Sequence, residues 1–409
     1  MNLINNIMNQ LNNLILNESK YVCNNYKTIT RILTRGKGIY VYDKDNTKYI
    51  GGIAGYSALN QGHCHNRLIK VMHEQCKNLT LTSRAYHNDQ LAPFSEKLCK
   101  TFNYDKVLLM NGGVESGESS IKIARAWGYK KKNVPKDKAI NVFFKNNFWG
   151  RSIAACSSSS DPSCYENFGP YTRGFQLINY NNIRELERFL NVEPNVVSVM
   201  LEPIQGEAGI IIPDAGYLQK VRELCDKYNV LMIADEVQTG LGRTGKMLAC
   251  DHEDVKPDIL CLGKALSGGF YPVSAILANE EIMDVITPGT HGSTFGGNPL
   301  GCAVGSEALD IIIDENLIGN SEKMGKYFRE NLIYLNHYSL KDVRGKGLLN
   351  ALEFNNEEVT NRFLNFLLEE GVLAKNTHKN SVRITPPLII NQDETDILLS
   401  KIKNSLARL

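Results

Sequence analysis

Val230-Leu-Met-Ile-Ala-Asp235 is followed, after a polar interval, by Ile259-Leu-Cys-Leu-Gly-Lys264. The apolar part of each stretch does not alternate with polar residues, which predicts two buried strands of a parallel sheet. Each strand ends in a charged side chain, Asp235 in one and Lys264 in the other. Ligands of open α/β sheets bind at the carboxyl ends of the strands. We therefore expect both side chains in one site, with Lys264 placed to form a Schiff base.

Length and composition limit the class of protein. A chain of 409 residues exceeds the size at which one core stops growing, so two domains are expected. Apolar residues make up 43% and charged residues 22%, as in ordinary globular proteins. The formal net charge of +2 argues against a nucleic-acid-binding surface. No apolar run reaches the roughly 18 residues that a membrane span requires.

The cysteines and histidines predict neither a disulfide framework nor a metal site. Ten cysteines occur without a regular spacing, which favours buried small hydrophobic residues. His63-Cys64-His65 could suggest metal ligands, but no second cluster accompanies it, and a turn between strand and helix is the preferred interpretation.

The first 17 residues carry a helical pattern of apolar side chains that predicts an amphipathic helix, packed on the body or on a partner subunit. Its apolar positions are Ile4, Ile7, Met8, Leu11, Leu14 and Ile15. No basic residue precedes Lys20, unlike a mitochondrial presequence or secretory signal, so a cytoplasmic location is expected.

Asp235-Glu-Val-Gln238-Thr-Gly, followed by Lys264, resembles the class III, fold-type I pyridoxal-phosphate aminotransferases, and within them the ornithine aminotransferases. The resemblance extends from about Tyr26 to Leu388. It implies an α/β fold: a mostly parallel sheet with helices on both faces, plus a smaller α+β domain. The expected large domain covers residues 46–299, and the small domain combines residues 1–45 with 300–409.

The resemblance also implies an activity, which is transfer of the δ-amino group of L-ornithine to 2-oxoglutarate. The products would be glutamate 5-semialdehyde and glutamate. The cofactor would be pyridoxal 5'-phosphate, held covalently by Lys264, with Asp235 at the ring nitrogen and Gln238 at the phenolic oxygen. The active unit would be a homodimer with neither a nucleic-acid nor a membrane partner.

A glycine turn predicts the phosphate site. Lys106-Val-Leu-Leu-Met reads as a strand, and Gly112-Gly113-Val114 leads from it into a helix whose free N–H groups can bind an anion. A glycine turn alone is weak evidence, but the resemblance assigns Gly113 and Val114 to the cofactor phosphate. Gly112 replaces a residue that is usually a hydroxyl residue in the family, so one phosphate hydrogen bond is expected to be missing.

Two further positions concern the cofactor. Phe148 follows the predicted strand Asn141-Val-Phe-Phe and is either a core aromatic or a ring stacked on the cofactor; the resemblance implies stacking. Thr294, in His291-Gly-Ser-Thr294, resembles the residue that reaches the phosphate of the neighbouring subunit.

Three residues are candidates for substrate binding. Tyr26 is by spacing either a packing aromatic or a substrate contact, and the resemblance implies the latter, although Lys27-Thr-Ile-Thr30 replaces the family's proline-containing turn. Tyr56 lies in a glycine-rich segment and is implied to select ornithine. Arg151, three residues after Phe148, can bind a carboxylate with two hydrogen bonds.

Glu202 and Glu207 follow the predicted strand at residues 196–201 and could form an acid/base pair. The resemblance instead implies that Glu207 pairs with a mobile Arg383 in Ser381-Val-Arg383-Ile. We hypothesise that Glu207 masks this arginine while ornithine reacts. Further along, Val343 to Phe354 reads as one strand preceded by a turn.

Two alternatives remain. N-acetylornithine, 4-aminobutyrate and lysine ε-aminotransferases belong to the same class, but Tyr26, Tyr56 and Glu207 together favour ornithine. A pyridoxal-phosphate-binding protein without turnover, acting through its dimer surface, is the second alternative. The complete set Asp235, Gln238, Lys264 and Arg383 argues against it.

Overall fold

The computed structural model describes residues 13–409. Residues 13–21 are helical, and Leu14 and Ile15 in this helix are exposed. The other predicted apolar positions, Ile4, Ile7, Met8 and Leu11, lie outside the described residues.

The first sheet is built mainly from the N-terminal segment. Its strands β1 (Leu33–Lys37), β2 (Tyr40–Asp43) and β3 (Lys48–Gly51) form an antiparallel meander. The turn between β2 and β3 is closed by the Asp43 carboxylate, which accepts hydrogen bonds from the backbone of Asp45 and Thr47. The alternating residues on either side of a turn at Asp43–Asn46 predict a β-hairpin, and the structure confirms it.

The central sheet contains seven strands in the order β4-β10-β9-β8-β7-β5-β6. They are β4 (Lys106–Met110), β5 (Ile140–Phe144), β6 (Phe175–Ile178), β7 (Val196–Leu201), β8 (Leu231–Asp235), β9 (Ile259–Leu262) and β10 (Ser274–Ala278). Strands β5 to β9 pair in parallel, and only β10 is antiparallel to its neighbours. Every residue of β7 to β10 is buried, which explains why their sequences are mostly apolar and do not alternate. The predicted mostly parallel sheet is confirmed.

Helices cover the central sheet. They are α1 (Asn66–Asn78), α2 (Leu91–Phe102), α3 (Gly113–Lys130), α4 (Ile153–Ser157), α5 (Pro162–Tyr165), α6 (Ile183–Val192), α7 (Tyr217–Lys227), α8 (Glu280–Met283) and α9 (Pro299–Asp314). One core cluster combines the inner face of α3 with the sheet, and another combines α6 and α7 with it. A third and larger cluster combines α1, α2 and α9 with β9, β10 and the C-terminal part of the chain, so three cores surround the sheet.

The C-terminal region forms a third sheet in the order β11-β12-β15-β14. The helices and strands of this C-terminal region are α10 (Leu317–Leu335), β11 (Leu340–Lys346), β12 (Leu349–Phe354), α11 (Glu357–Glu369), β13 (Val372–Leu373), β14 (Lys375–Thr377), β15 (Ser381–Ile384) and α12 (Gln392–Leu406). The prediction of a strand with a preceding turn in the segment from Val343 to Phe354 accounts for β12 but misses β11. Gly347 has φ +52° and turns the chain there, so two antiparallel strands form.

The N-terminal and C-terminal regions contact each other directly. The short strand β13 pairs in parallel with β3 and so completes the first sheet. The fully buried Arg243 donates to the side chain of Asn60 and to the carbonyls of Leu348 and Pro386. These contacts join three distant parts of the chain. The division at residues 45/46 and 299/300 stays a prediction.

All ten cysteines are free thiols, and six of them are buried. Within residues 13–409, no helix combines the length and the apolar character that crossing a membrane requires. The side chains of His63 and His65 contact different parts of the chain in the structure. His63 packs on Gly36, whereas His65 lies 3.2 Å from a carboxylate oxygen of Glu315.

Candidate active site

Lys264 lies directly after β9, at the carboxyl edge of the central sheet. Its backbone has φ +45°, an uncommon conformation for a residue with a side chain, and opens a 3-10 turn over Lys264–Ser267. Burial lowers the pKa of the Lys264 ammonium, and the carboxylates of Asp235 and Glu207 only partly oppose this shift. A lowered pKa increases the fraction of neutral amine, which is the nucleophilic form.

Asp235 is the last residue of β8, which is the parallel neighbour of β9. The side chain is 7% exposed, and its Oδ1 accepts a hydrogen bond of 3.0 Å from the Val237 N–H. Burial raises the pKa of Asp235 to about 6, although this hydrogen bond and the charge of Lys264 act in the opposite direction. The adjacent strands therefore deliver one carboxylate and one amine to the same edge, as the sequence predicts.

Glu202 lies beside Asp235 and was not selected from the sequence as a site residue. Its two oxygens accept hydrogen bonds from the backbone N–H of Phe148 at 2.9 Å and of Gly206 at 3.1 Å. Burial raises the pKa of Glu202 to about 8, and the carboxylate of Asp235 adds to this shift. The sequence signal for Glu202 was its position directly after β7. In the structure this position lies next to the ends of β5 and β8.

The amino end of α3 forms an anion cradle. Glu115 accepts hydrogen bonds from the N–H groups of Asn111 and Gly112, but within the part of the chain described here no acceptor contacts those of Gly113 and Val114. Unpaired N–H groups at the start of an 18-residue helix fit a phosphate. A Cβ on Gly113 would lie 2.8 Å from Val237, so the tight turn requires glycine.

Gln238 presents a buried donor without a partner. Its side chain packs so closely on Gly206 that a Cβ there would overlap Oε1 at 1.7 Å. The Nε2 atom is buried and makes no hydrogen bond with any described residue. A buried unpaired amide costs about 1–3 kcal/mol, so this donor fits an acceptor on a bound group.

Phe148 and Arg151 follow β5. Phe148 is half-buried, and its backbone is fixed by Glu202. Arg151 is exposed, with its guanidinium 5.7 Å from the centre of the Phe148 ring. The two predicted residues therefore lie together, and neither is part of the closed core.

Arg383 and Glu207 form an ion pair. Arg383 on β15 is 2% exposed, and its Nη1 donates to Glu207 Oε1 at 2.5 Å. Burial alone would raise the pKa of the Glu207 carboxyl, but the charge and hydrogen bond of Arg383 outweigh burial and lower it. Nε of Arg383 is buried and unpaired within residues 13–409, so the guanidinium retains an unused donor.

The Glu207 loop is held from three sides. Gln205 and Ile211 exchange backbone hydrogen bonds of 3.1 and 2.9 Å, which closes the loop as a small hairpin. Thr377 donates its hydroxyl to the Glu207 carbonyl at 2.7 Å. Arg344 donates to the Gly209 carbonyl at 2.6 Å. The backbone of the loop is thus fixed, while the Glu207 side chain is 34% exposed and has room to move.

Tyr56 lies beside the ion pair and Tyr26 lies farther out. Residues 54–57 form a left-handed turn, with Tyr56 at φ +59°, and the Arg383 guanidinium lies 5.2 Å from the centre of the Tyr56 ring. Tyr26 is 65% exposed. Lys375, which the sequence did not reveal as a site residue, connects them: its Nζ donates to Tyr56 Oη at 3.3 Å and lies 5.8 Å from the Tyr26 ring centre.

Thr294 is exposed, whereas its neighbour Ser293 accepts a hydrogen bond of 3.0 Å from Asn111. The structure therefore sets the Thr294 segment against the turn that begins the anion cradle, and the Thr294 side chain faces outward.

The arrangement fits pyridoxal phosphate. A half-buried lysine, a carboxylate, an unpaired amide donor and two free N–H groups match its aldehyde, ring nitrogen, phenolic oxygen and phosphate. Within residues 13–409, no cluster of three metal-ligating side chains occurs.

Comparison with known proteins gives a consistent result. Residues 21–406 match the family model described as aminotransferase class-III. A mitochondrial ornithine aminotransferase of Drosophila melanogaster is 52% identical over 377 residues, which cover 92% of this chain and 87% of the relative.

Two crystal structures illustrate the likeness of the fold. An ornithine aminotransferase from Toxoplasma gondii ME49 superposes with a TM-score of 0.95 at 46% identity, covering 97% of this chain and 95% of that one. An acetylornithine aminotransferase from Elizabethkingia anophelis gives a TM-score of 0.89 at 43% identity, covering 98% and 99%.

Proposed function

The chain belongs to the class-III aminotransferase family, and on that premise we propose the individual tasks of its residues. The enzyme is a pyridoxal-phosphate-dependent ornithine aminotransferase. It moves the δ-amino group of L-ornithine to 2-oxoglutarate and yields glutamate 5-semialdehyde and glutamate. The observation that carries the residue assignment is the Glu207–Arg383 pair beside the half-buried Lys264.

Lys264 holds the cofactor and moves the proton. The bound cofactor supplies an electron-accepting ring that stabilises negative charge on the substrate carbon. With cofactor and ornithine bound, the unprotonated Nζ of Lys264 would act as the base that takes a proton from Cδ of ornithine. The lowered pKa of Lys264 supports this task, because a protonated amine cannot act as a base.

The remaining cofactor contacts come from four elements. Asp235, with its pKa of about 6, is mostly ionised at neutral pH and keeps the ring nitrogen protonated. Gln238 donates to the phenolic oxygen, and Gly113 and Val114 donate to the phosphate. Phe148 stacks on one face of the ring, and its position is supported by the hydrogen bond to Glu202.

Different residues bind the α-carboxylates of the two substrates. Tyr26, Tyr56 and Arg151 receive the α-carboxylate of ornithine, which extends away from the reacting δ-carbon. Arg383 binds the α-carboxylate of 2-oxoglutarate, which lies next to the reacting carbon. Glu207 neutralises Arg383 during the ornithine half-reaction, so that ornithine is not drawn in by its α-carboxylate.

A spectroscopic titration tests this function. Ornithine added to the purified enzyme should change the visible absorption of the cofactor, and 2-oxoglutarate should restore the starting spectrum. An enzyme that does not respond to ornithine but responds to N-acetylornithine would instead act as an acetylornithine aminotransferase, as the Elizabethkingia neighbour is named.

The active unit is taken to be a homodimer. Thr294 is exposed, which leaves its hydroxyl available to a phosphate bound in a second copy. Exposed apolar side chains at Leu79, Leu81 and Tyr86 support a covered surface. A cytoplasmic location stays a prediction, and the Drosophila relative is named as mitochondrial.

A further inference from the structure

Two cations extend side by side from the C-terminal sheet toward Tyr56. Lys375 on β14 and Arg383 on β15 are direct partners in the antiparallel register. Such partners carry their side chains on the same face, with Cβ atoms roughly 5 Å apart. Tyr56 contacts both, because Lys375 donates to its hydroxyl and the Arg383 guanidinium lies over its ring.

The two cations differ in how their charge is compensated. Arg383 is neutralised by Glu207 at 2.5 Å. Among residues 13–409, no carboxylate oxygen lies within 4.0 Å of the Lys375 Nζ. A half-buried ammonium whose contacts are a phenol oxygen and an aromatic ring retains donors for an anion.

Lys375 lies at an intermediate depth, between the exposed Tyr26 and the buried Arg383. Tyr26, whose ring faces Lys375, is 65% exposed, whereas Arg383 is 2% exposed. Lys375 is half-buried between them. When the δ-amine of ornithine reacts at Lys264, the methylene groups of its side chain carry the α-carboxylate away from the reacting carbon, so this carboxylate needs a partner at a distance from Lys264.

We propose that Lys375 binds the α-carboxylate of ornithine directly and thereby helps to select the amine that reacts. This inference rests on the proposed function. Since Tyr56 accepts the hydrogen bond from Lys375, its own O–H is free to donate to the same carboxylate. Glu207 neutralises Arg383, whereas no described carboxylate neutralises Lys375. Lys375 is therefore the charged partner that the carboxylate finds in this part of the pocket, away from the reacting carbon.

Steady-state kinetics of Lys375→Met test the proposal. Methionine retains the length and flexibility of the side chain but removes its charge. We expect kcat/KM for ornithine to fall about 10- to 100-fold, mainly through a raised KM, because a hydrogen bond to a charged group is lost. Lys375→Arg should recover most of this loss. Lys379→Met, at an exposed lysine in the turn between β14 and β15, should change neither constant.

Three results would overturn the proposal: a change of less than about twofold in Lys375→Met, a loss confined to kcat, or an equal loss in Lys379→Met. The Tyr56→Phe background separates direct binding from support of Tyr56. If Lys375→Met has no effect there, Lys375 only positions the phenol and the proposal is wrong. Wild-type enzyme that does not transaminate ornithine would refute the proposed function itself, whereas normal wild-type turnover with an unaffected Lys375→Met refutes only this inference.

Discussion

Arg383 Nη1 lies 2.5 Å from Glu207 Oε1, although the arginine lies on the C-terminal sheet, the glutamate lies in a loop after the central sheet, and 176 positions separate them. The arginine is buried on β15, whereas the glutamate lies in a loop after β7 and keeps 34% of its side chain exposed. A buried cation thus faces a more accessible anion. An incoming dicarboxylate can exchange one charged partner of Arg383 for another, which costs little net free energy.

Glu207→Ala should relax the choice of the ornithine amine. With Arg383 unmasked, the α-carboxylate of ornithine is drawn toward the reacting carbon, so reaction at the α-amine should appear. Single-turnover kinetics of both half-reactions measure this, and the 2-oxoglutarate half-reaction should be largely retained. Arg383→Ala is the matched variant: it should slow that half-reaction roughly 10- to 150-fold through loss of about 1.5–3 kcal/mol. Equal losses in both half-reactions of Glu207→Ala, with reaction only at the δ-amine, would show that Glu207 is merely structural.

Glu202→Gln should change how the stability of the cofactor-free enzyme depends on pH. The pKa of Glu202 is raised from 4.5 to about 8, so the folded state binds more protons than the unfolded state in this range. Its contribution to stability is complete below about pH 4.5 and is lost as the pH rises through about 8. The free energy of unfolding, measured with denaturant, should therefore fall more steeply with pH in wild type than in the variant. Parallel curves would contradict the raised pKa.

Thr294→Ala should weaken the binding of the cofactor to the dimer without altering the fold of the substituted chain. If the hydroxyl reaches the phosphate in a second copy, its loss should raise the dissociation constant of the cofactor about 10-fold. Fluorescence titration of cofactor-free enzyme measures this constant, and sedimentation shows whether the protein is a dimer. A crystal structure of the loaded enzyme with Thr294 more than about 10 Å from every phosphate would remove the argument, since a hydrogen bond requires roughly 3 Å.

Lys264→Ala should abolish transamination and covalent attachment of the cofactor, although noncovalent cofactor can remain bound. Borohydride reduction followed by mass measurement of the denatured chain distinguishes the two forms of binding. Wild type should gain the mass of the reduced cofactor, and the variant should not. Cofactor trapped on the variant would mean that another lysine is the anchor.

Much of the central sheet was predictable because β8 and β9 are buried on both faces and their sequences lack alternation. Strand ends then placed Asp235 and Lys264 together. The hairpin of β11 and β12 was missed, since the turn depends on the positive φ of Gly347 inside an apparently continuous strand pattern.

Lys375 could not be identified from local sequence. It belongs to the pocket only because β14 pairs with β15 in a register that brings it opposite Arg383. Such pairing is a long-range property of the fold. Glu202 was visible as a strand-end carboxylate, but its burial beside Asp235 depends on how β7 and β8 are aligned.

The fate of the δ-nitrogen of ornithine shows which of its two amines is transferred. The enzyme would be incubated with 2-oxoglutarate and L-ornithine carrying a heavy nitrogen isotope at the δ-position alone, and the mass of the glutamate formed would be measured. Since the δ-amino group is the one transferred, we expect the label to pass into glutamate. Ornithine labelled only at the α-nitrogen should give unlabelled glutamate. Labelled glutamate from the α-labelled substrate, or no glutamate from either, would contradict it.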